Sequence, residues 1–199
     1  PPIFFSITTR HTPFKGVRQS SRFRSGAILW NQNRSRLSDP EMNVDLSEIR
    51  RRTVSATEYI YSLDRVPREL FLARKRTYLL QPEAVEVLHK SVDDFVVVAF
   101  SASWCKDCAE QIPVLALISE VTGLEVRIFG GVKKDPLSHV SKWRIPPSPP
   151  EIAELHVDKL PAIVVFETDG NEVDRIEERP KKMPTLEQEL CEIVKSRRQ

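Results

Sequence analysis

Apolar positions along this chain keep two different spacings, and the change comes near residue 93. Before it the spacing is helical. Asp45-Leu46-Ser47-Glu48 opens a segment reaching about Leu63, with Ile49, Val54, Tyr59 and Ile60 as the expected inward contacts. After Pro67 a second helix is expected over residues 68–79, using Leu70, Phe71, Tyr78 and Leu79. A third, short helix begins near Pro82, a residue suited to a first turn, and carries Ala84, Val85, Val87 and Leu88.

Beyond residue 93 strands and helices alternate, which reads as an α/β fold. The run Phe95-Val96-Val97-Val98-Ala99-Phe100 predicts a buried strand over 95–101. Residues 105–121 predict a helix kinked by Pro113, whose ring removes one hydrogen bond and crowds the preceding turn. Leu124 to Phe129 is a second strand, ending at Gly130-Gly131, where the backbone turns freely. Pro161 to Phe166 is a third, and Asp169-Gly170 turns the chain into residues 172–176. Thr185 to Ser196 closes the pattern as a helix with Leu186, Leu190, Ile193 and Val194 on one face.

The loop from Trp143 to Glu151 has two readings. Its PxxP spacing would suit an SH3-type ligand. Alternatively, Ser148 followed three residues later by Glu151, with Pro149 at the first helical position, makes a capping box for a helix from Glu151 to about His156. The second reading joins two predicted elements and is preferred.

At 199 residues the chain fits one ordinary domain plus extensions. Residues 1–41 hold seven of the 30 basic and two of the 28 acidic side chains, leaving 23 basic against 26 acidic in the rest. That balance argues against a nucleic-acid partner. Arg65, Arg68, Arg74, Lys75 and Arg76 cluster, but interspersed acids favour a solvated helix face over a groove for nucleic acid. No apolar run approaches the roughly 20 residues that span a bilayer, so no membrane partner is expected. Residues 1–41 are rich in Arg, Ser and Pro and lack apolar periodicity. They read either as an organelle transit peptide or as sequence upstream of a start at Met42, and their composition favours the second, a disordered or spurious segment.

Three cysteines are present, and two of them form Trp104-Cys105-Lys106-Asp107-Cys108 directly after the apolar strand. A helix N-terminus carries partial positive charge and stabilises a thiolate placed there. A second thiol one turn further on can attack a mixed disulfide and release product. Sparse cysteine suits a reducing compartment, so a cytoplasmic location is expected. A tetrahedral zinc site would need four ligands; with no second CxxC, and only Cys191, His11, His89, His139 and His156 elsewhere, no metal is expected. Cys191 reads as a small core residue.

The stretch from about Asp94 to Ser196 resembles the thioredoxin family in three separated features. These are the WCKDC motif after an apolar strand, Pro113 eight residues after Cys105, and Leu160-Pro161 opening a strand before a hairpin. The motif and the PPSPPE loop look similar to archaeal or bacterial thioredoxin-like proteins with an added N-terminal helical segment. The resemblance implies a thioredoxin-like fold over 93–199, a central mixed sheet flanked by helices, with residues 42–92 as a helical extension. It implies Cys105 as an exposed nucleophile and Cys108 as the more buried resolving thiol. Trp104, Leu160 and a cis Pro161 would form the substrate surface, with Lys106 and Asp107 tuning the pair.

Two departures matter. Where thioredoxins carry a buried Asp six residues before the first cysteine, this chain has Ala99, for which Asp107 or Glu110 could substitute through water. The dipeptide between the cysteines is Lys-Asp, whose opposed charges partly cancel. The expected function is a monomeric thiol–disulfide oxidoreductase acting on disulfide-containing proteins without a bound cofactor. A reductase-like protein or small thiol would re-reduce it. The alternative is a non-catalytic thioredoxin-fold binding module.

Overall fold

The computed structural model describes residues 43–138, 142–143 and 145–198; the expectations for residues 1–41 lie outside them. Helix α1 (Leu46–Arg52) starts on Asp45, whose carboxylate accepts from the Ser47 and Glu48 N–H groups. The helix stops well short of Leu63. Thr53 turns extended and its hydroxyl donates to the Ile49 carbonyl at 2.5 Å. Strand β1 (Val54–Ser55) follows, and Ser55 and Glu58 then form a reciprocal capping box that starts α2 (Ala56–Ser62). The apolar spacing runs through this break because Ile49, Tyr59 and Ile60 are all buried, whereas Val54 on the strand is 41% exposed.

Helix α3 (Arg65–Thr77) buries Phe71, whose ring meets Tyr59 edge-on at 6.2 Å. Leu70 and Leu79, expected inward, face solvent. The first lies on the outer face of a helix with one fully buried side chain, and the second lies past the helix cap at Tyr78. Helix α4 (Pro82–His89) begins with its proline at the first turn and buries Ala84 and Leu88.

The alternating half matches its pattern closely: β2 (Phe95–Phe100), α5 (Lys106–Thr122), β3 (Glu125–Phe129), α6 (Glu151–Glu154), β4 (Ala162–Glu167), β5 (Glu172–Glu177) and α7 (Leu186–Arg197). Pro113 sits inside α5, and Gly123 ends that helix at φ 83°, a left-handed conformation that glycine adopts without penalty. The strands form one mixed sheet in the order β1-β3-β2-β4-β5. β2 runs parallel to β3 and antiparallel to β4, with Ala99 in register with Ile128 on one side and Ile163 on the other. The fold is thus the mixed sheet flanked by helices that the resemblance implies.

The capping box expected at Ser148 does not form. Pro150 occupies the N-cap of α6 without a side-chain bond. The Ser148 hydroxyl instead accepts from the Lys133 N–H at 2.8 Å and donates to the Lys133 carbonyl at 3.3 Å, closing the loop between β3 and α6. Glu151 is buried and pairs with Arg52 at 2.5 Å.

The helices of residues 42–92 share a core with the alternating half. α5 packs against α2, α3, α4 and α7, and β1 extends the sheet by pairing antiparallel with β3. A polar tie joins the same parts: buried Glu187 on α7 accepts from the Tyr78 hydroxyl at 2.8 Å and the Gln81 N–H at 3.1 Å. Burial, and then the adjacent Glu187 carboxylate, push the Tyr78 phenol up to about 12.

Two outcomes follow. Phe71→Ala should cost about 3–5 kcal/mol, read from urea unfolding, and the transition should stay single because Phe71 belongs to the shared core. Tyr78 should ionise near 12 in ultraviolet difference titration. Since its folded value is raised, the stability it lends is present below the ordinary tyrosine range and is lost as pH rises through the folded value.

Candidate active site

Strand β2 ends at Phe100, Ser101 N–H continues the ladder to the Phe129 carbonyl at 2.9 Å, and four residues later the chain enters α5. Cys105 is the N-cap of that 17-residue helix. Its sulfur accepts from the Cys108 N–H at 3.1 Å, one of the donors that a helix start leaves without a backbone partner. Cys105 and Cys108 are joined as a disulfide with their Cα atoms 5.2 Å apart. Cys105 keeps 8% of its surface exposed and Cys108 none, so solvent reaches the pair only from the Cys105 side.

Pro113 leaves the Ala109 carbonyl without its helical donor. One residue further on, Arg74 of α3 reaches across, donating to the Glu110 carbonyl at 3.4 Å and pairing with the Glu110 carboxylate at 3.0 Å. Asp107, between the cysteines, pairs with Arg179 at 3.5 Å. Both carboxylates considered as substitutes for a buried acid at Ala99 are therefore held by arginines, and Ala99 itself is fully buried between two isoleucines.

Trp104 is 53% exposed, yet its indole is fixed. Its Nε1–H donates to the Val132 carbonyl at 3.1 Å, and its ring stacks on Trp143, centroids 6.1 Å apart. The Leu160-Pro161 peptide bond is cis, and Glu178 N–H donates to the Pro161 carbonyl at 2.8 Å. A cleft of about 680 Å³ brings these together: Trp104, Cys105, Lys106, Asp107 and Leu160 all line it. Pro161 is buried immediately behind Leu160. Among the described residues no group of three or more His, Cys, Asp or Glu is arranged to hold a metal ion.

Sequence reading missed Trp143 and Arg179. Trp143 belongs to the proline-rich loop, read there as a connection, although an aromatic residue within it was a usable signal. Arg179 gave none, because its partner lies 72 positions earlier in the chain.

A family model described as Thioredoxin matches residues 53–142. Over those residues the chain is similar to the thioredoxin family, and the mixed sheet flanked by helices is the corresponding fold. The match begins at Thr53, so it takes in β1 and helices α2 to α4 as well as the CxxC segment. Among solved structures, a 1.5 Å crystal structure of a protein of unknown function from Pseudomonas aeruginosa is similar, at 13% identity and TM-score 0.60. It covers 77% of this chain and 99% of its own. An HIV epitope scaffold is similar at 11% identity and TM-score 0.58, again over 77% and 99%. At these identities the likeness is one of fold. No curated protein matches the chain in sequence.

Beside Trp104 lies a second cleft of about 460 Å³, lined also by Tyr59 and Gly130. Burial pushes the Tyr59 phenol above its ordinary range; the Ser101 hydroxyl lies close enough to soften the rise but outside hydrogen-bond geometry. A Cβ on Gly130 would stand 2.7 Å from the Tyr59 ring, which Phe71 already confines. Gly130→Ala should therefore destabilise by about 1–3 kcal/mol through overpacking, measured by urea unfolding, and Tyr59→Leu should recover part of the loss.

Proposed function

We propose that this thioredoxin-like chain is a thiol–disulfide oxidoreductase that reduces disulfides in protein substrates through Cys105 and Cys108. The observation that carries the reading is the position of Cys105 at the N-cap of α5, its sulfur accepting the Cys108 N–H while bonded to the Cys108 sulfur. A helix N-terminus favours a thiolate there, and the pairing gives that sulfur an internal partner within reach.

The reaction is a pair of exchanges. In the reduced protein the Cys105 thiolate attacks one sulfur of a substrate disulfide, forming a mixed disulfide and expelling the other substrate sulfur as thiolate. Cys108, as thiolate, then attacks the Cys105 sulfur, forms the Cys105–Cys108 bond and releases the second substrate thiolate. Two electrons pass to the substrate and none to a cofactor. A reductase-like protein or a small thiol returns the pair to the dithiol. Trp104 and the Leu160-Pro161 segment offer the surface that meets the substrate, with the Leu160 backbone available for strand-like pairing. Lys106 and Asp107 act oppositely on the thiolate. Among the described residues no helix is long and apolar enough to cross a membrane; a cytoplasmic, monomeric reductase is the setting we infer.

Insulin reduction with dithiothreitol tests this. The chain should accelerate precipitation of the insulin B chain, Cys105→Ser should abolish the effect, and Cys108→Ser should accumulate a mixed disulfide on non-reducing gels. No turnover, together with no alkylation difference between oxidised and reduced protein, would leave the chain as a binding module.

A further inference from the structure

The dipeptide between the cysteines places a carboxylate two residues from Cys105, in the first turn of α5. There it opposes a thiolate at the same helix end. Like charges so placed repel, and more strongly where solvent is partly excluded. The Asp107 side chain is 35% exposed and so belongs to the partly excluded case. What distinguishes this site is that a cation from a distant part of the chain holds that carboxylate.

We propose that Arg179 is a positioning residue for the dithiol: it binds the Asp107 carboxylate and so relieves its repulsion of the Cys105 thiolate. The inference rests on the reading of Cys105 as the nucleophile. Nη2 of Arg179 stands 3.5 Å from Asp107 Oδ1. Its side chain is 68% exposed, and for an ordinary surface pair that would argue for a small effect. The backbone carrying it is unusually well fixed, however. On one side Glu178 takes φ 65°, a left-handed value uncommon outside glycine, while its N–H donates to the Pro161 carbonyl and its carboxylate meets Lys159 at 3.3 Å. Arg179 N–H then donates to the Glu177 carbonyl at 2.8 Å. On the other side the N–H groups of Lys181, Lys182 and Met183 all converge on one oxygen of buried Glu189, at 2.6, 2.7 and 3.1 Å. The guanidinium thus springs from backbone ordered on both sides before the pair forms, which lowers the entropy lost in forming it.

The other charges of the cleft do not substitute for this contact. Of the other charges lining the cleft, Lys159 is paired with Glu178 at 3.3 Å, and Lys106 and Asp107, flanked by the cysteines, are the charges nearest the sulfur in sequence. Lys106 favours the thiolate and Asp107 opposes it, so the state of Asp107 decides which prevails. The same fixed turn that donates to the Pro161 carbonyl carries the arginine. One segment therefore serves the cis-proline wall and the charge of the nucleophile together.

The experiment is the pH profile of Cys105 alkylation by iodoacetamide in the fully reduced protein at low salt. Arg179→Gln should move the midpoint upward by roughly 0.2–0.7 pH units, the equivalent of a surface pair worth about 0.2–1 kcal/mol, and Arg179→Lys should restore most of it. Asp107→Asn should move the midpoint down, and adding Arg179→Gln to it should then change little. An equal shift with and without Asp107, or no shift in either background, would overturn the proposal. If wild-type Cys105 shows no pH-dependent alkylation at all, the dithiol reading falls first and this inference with it. Arg179 is exposed, so circular dichroism melts of the variants should overlay the wild type and exclude misfolding as the cause.

Discussion

The dithiol stands where it does because β2 cannot be moved. All six of its residues are buried, and it is bonded to a parallel strand on one side and an antiparallel one on the other. A one-residue slip would exchange the side chains of its two faces throughout. With both faces apolar the strand tolerates that chemically, but the ladders and the tight run from Ser101 to Cys105 do not. The end of the strand therefore fixes the start of α5, and the start of α5 fixes Cys105. The cysteine then acts as its own helix cap, a role usually filled by Ser, Thr, Asp or Asn, with sulfur accepting the N–H that an oxygen would otherwise take.

Around this frame the longer-range ties are carboxylates buried on helices. Glu187 gathers Tyr78 and Gln81, Glu189 gathers three consecutive N–H groups after Arg179, and Glu151 holds Arg52. Glu187 and Glu189 satisfy hydroxyl and backbone donors that apolar packing would leave unpaired. Their common effect is directional. They attach segments without regular structure, including the α3–α4 connection and the turn beyond β5, to helices that already belong to the core. The helices of residues 42–92 are drawn into the same core by this means and by Phe71.

Much of this was legible in the chain. The strands and long helices of the alternating half follow from apolar period and turn chemistry, and the CxxC falls between two of them. Pro113 and Leu160-Pro161 sharpened the resemblance to thioredoxins because their positions are set by the fold. What escaped was of two kinds. The break at Thr53 was masked because the buried residues on either side keep a helical period across it, even though Ser55 and Glu58 form a cap inside the run. The Ser148 cap failed for the opposite reason: the local motif was present, but a tertiary partner, the backbone of Lys133, took the hydroxyl. Leu70 and Leu79 show the same limit from the apolar side, since period alone does not say which face a neighbour will cover.

Ala99 gives the chemistry its character. Where a buried acid would sit, the sheet is closed by Ile128 and Ile163, and the nearby carboxylates of Asp107 and Glu110 are engaged by Arg179 and Arg74. Neither of these two carboxylates is therefore a free acceptor for a proton leaving Cys108, and solvent meets the disulfide only at Cys105. Under the proposed function, the burden of activating the thiols would rest on the helix N-terminus and on charges at the rim, which act through the entrance of the site instead of its floor. Fields at a rim are weaker and more open to screening by salt than a buried acid would be. Under the same proposal, the reactivity of such a dithiol would depend on ionic strength and on the turn beyond β5 in a way that a floor carboxylate would not impose.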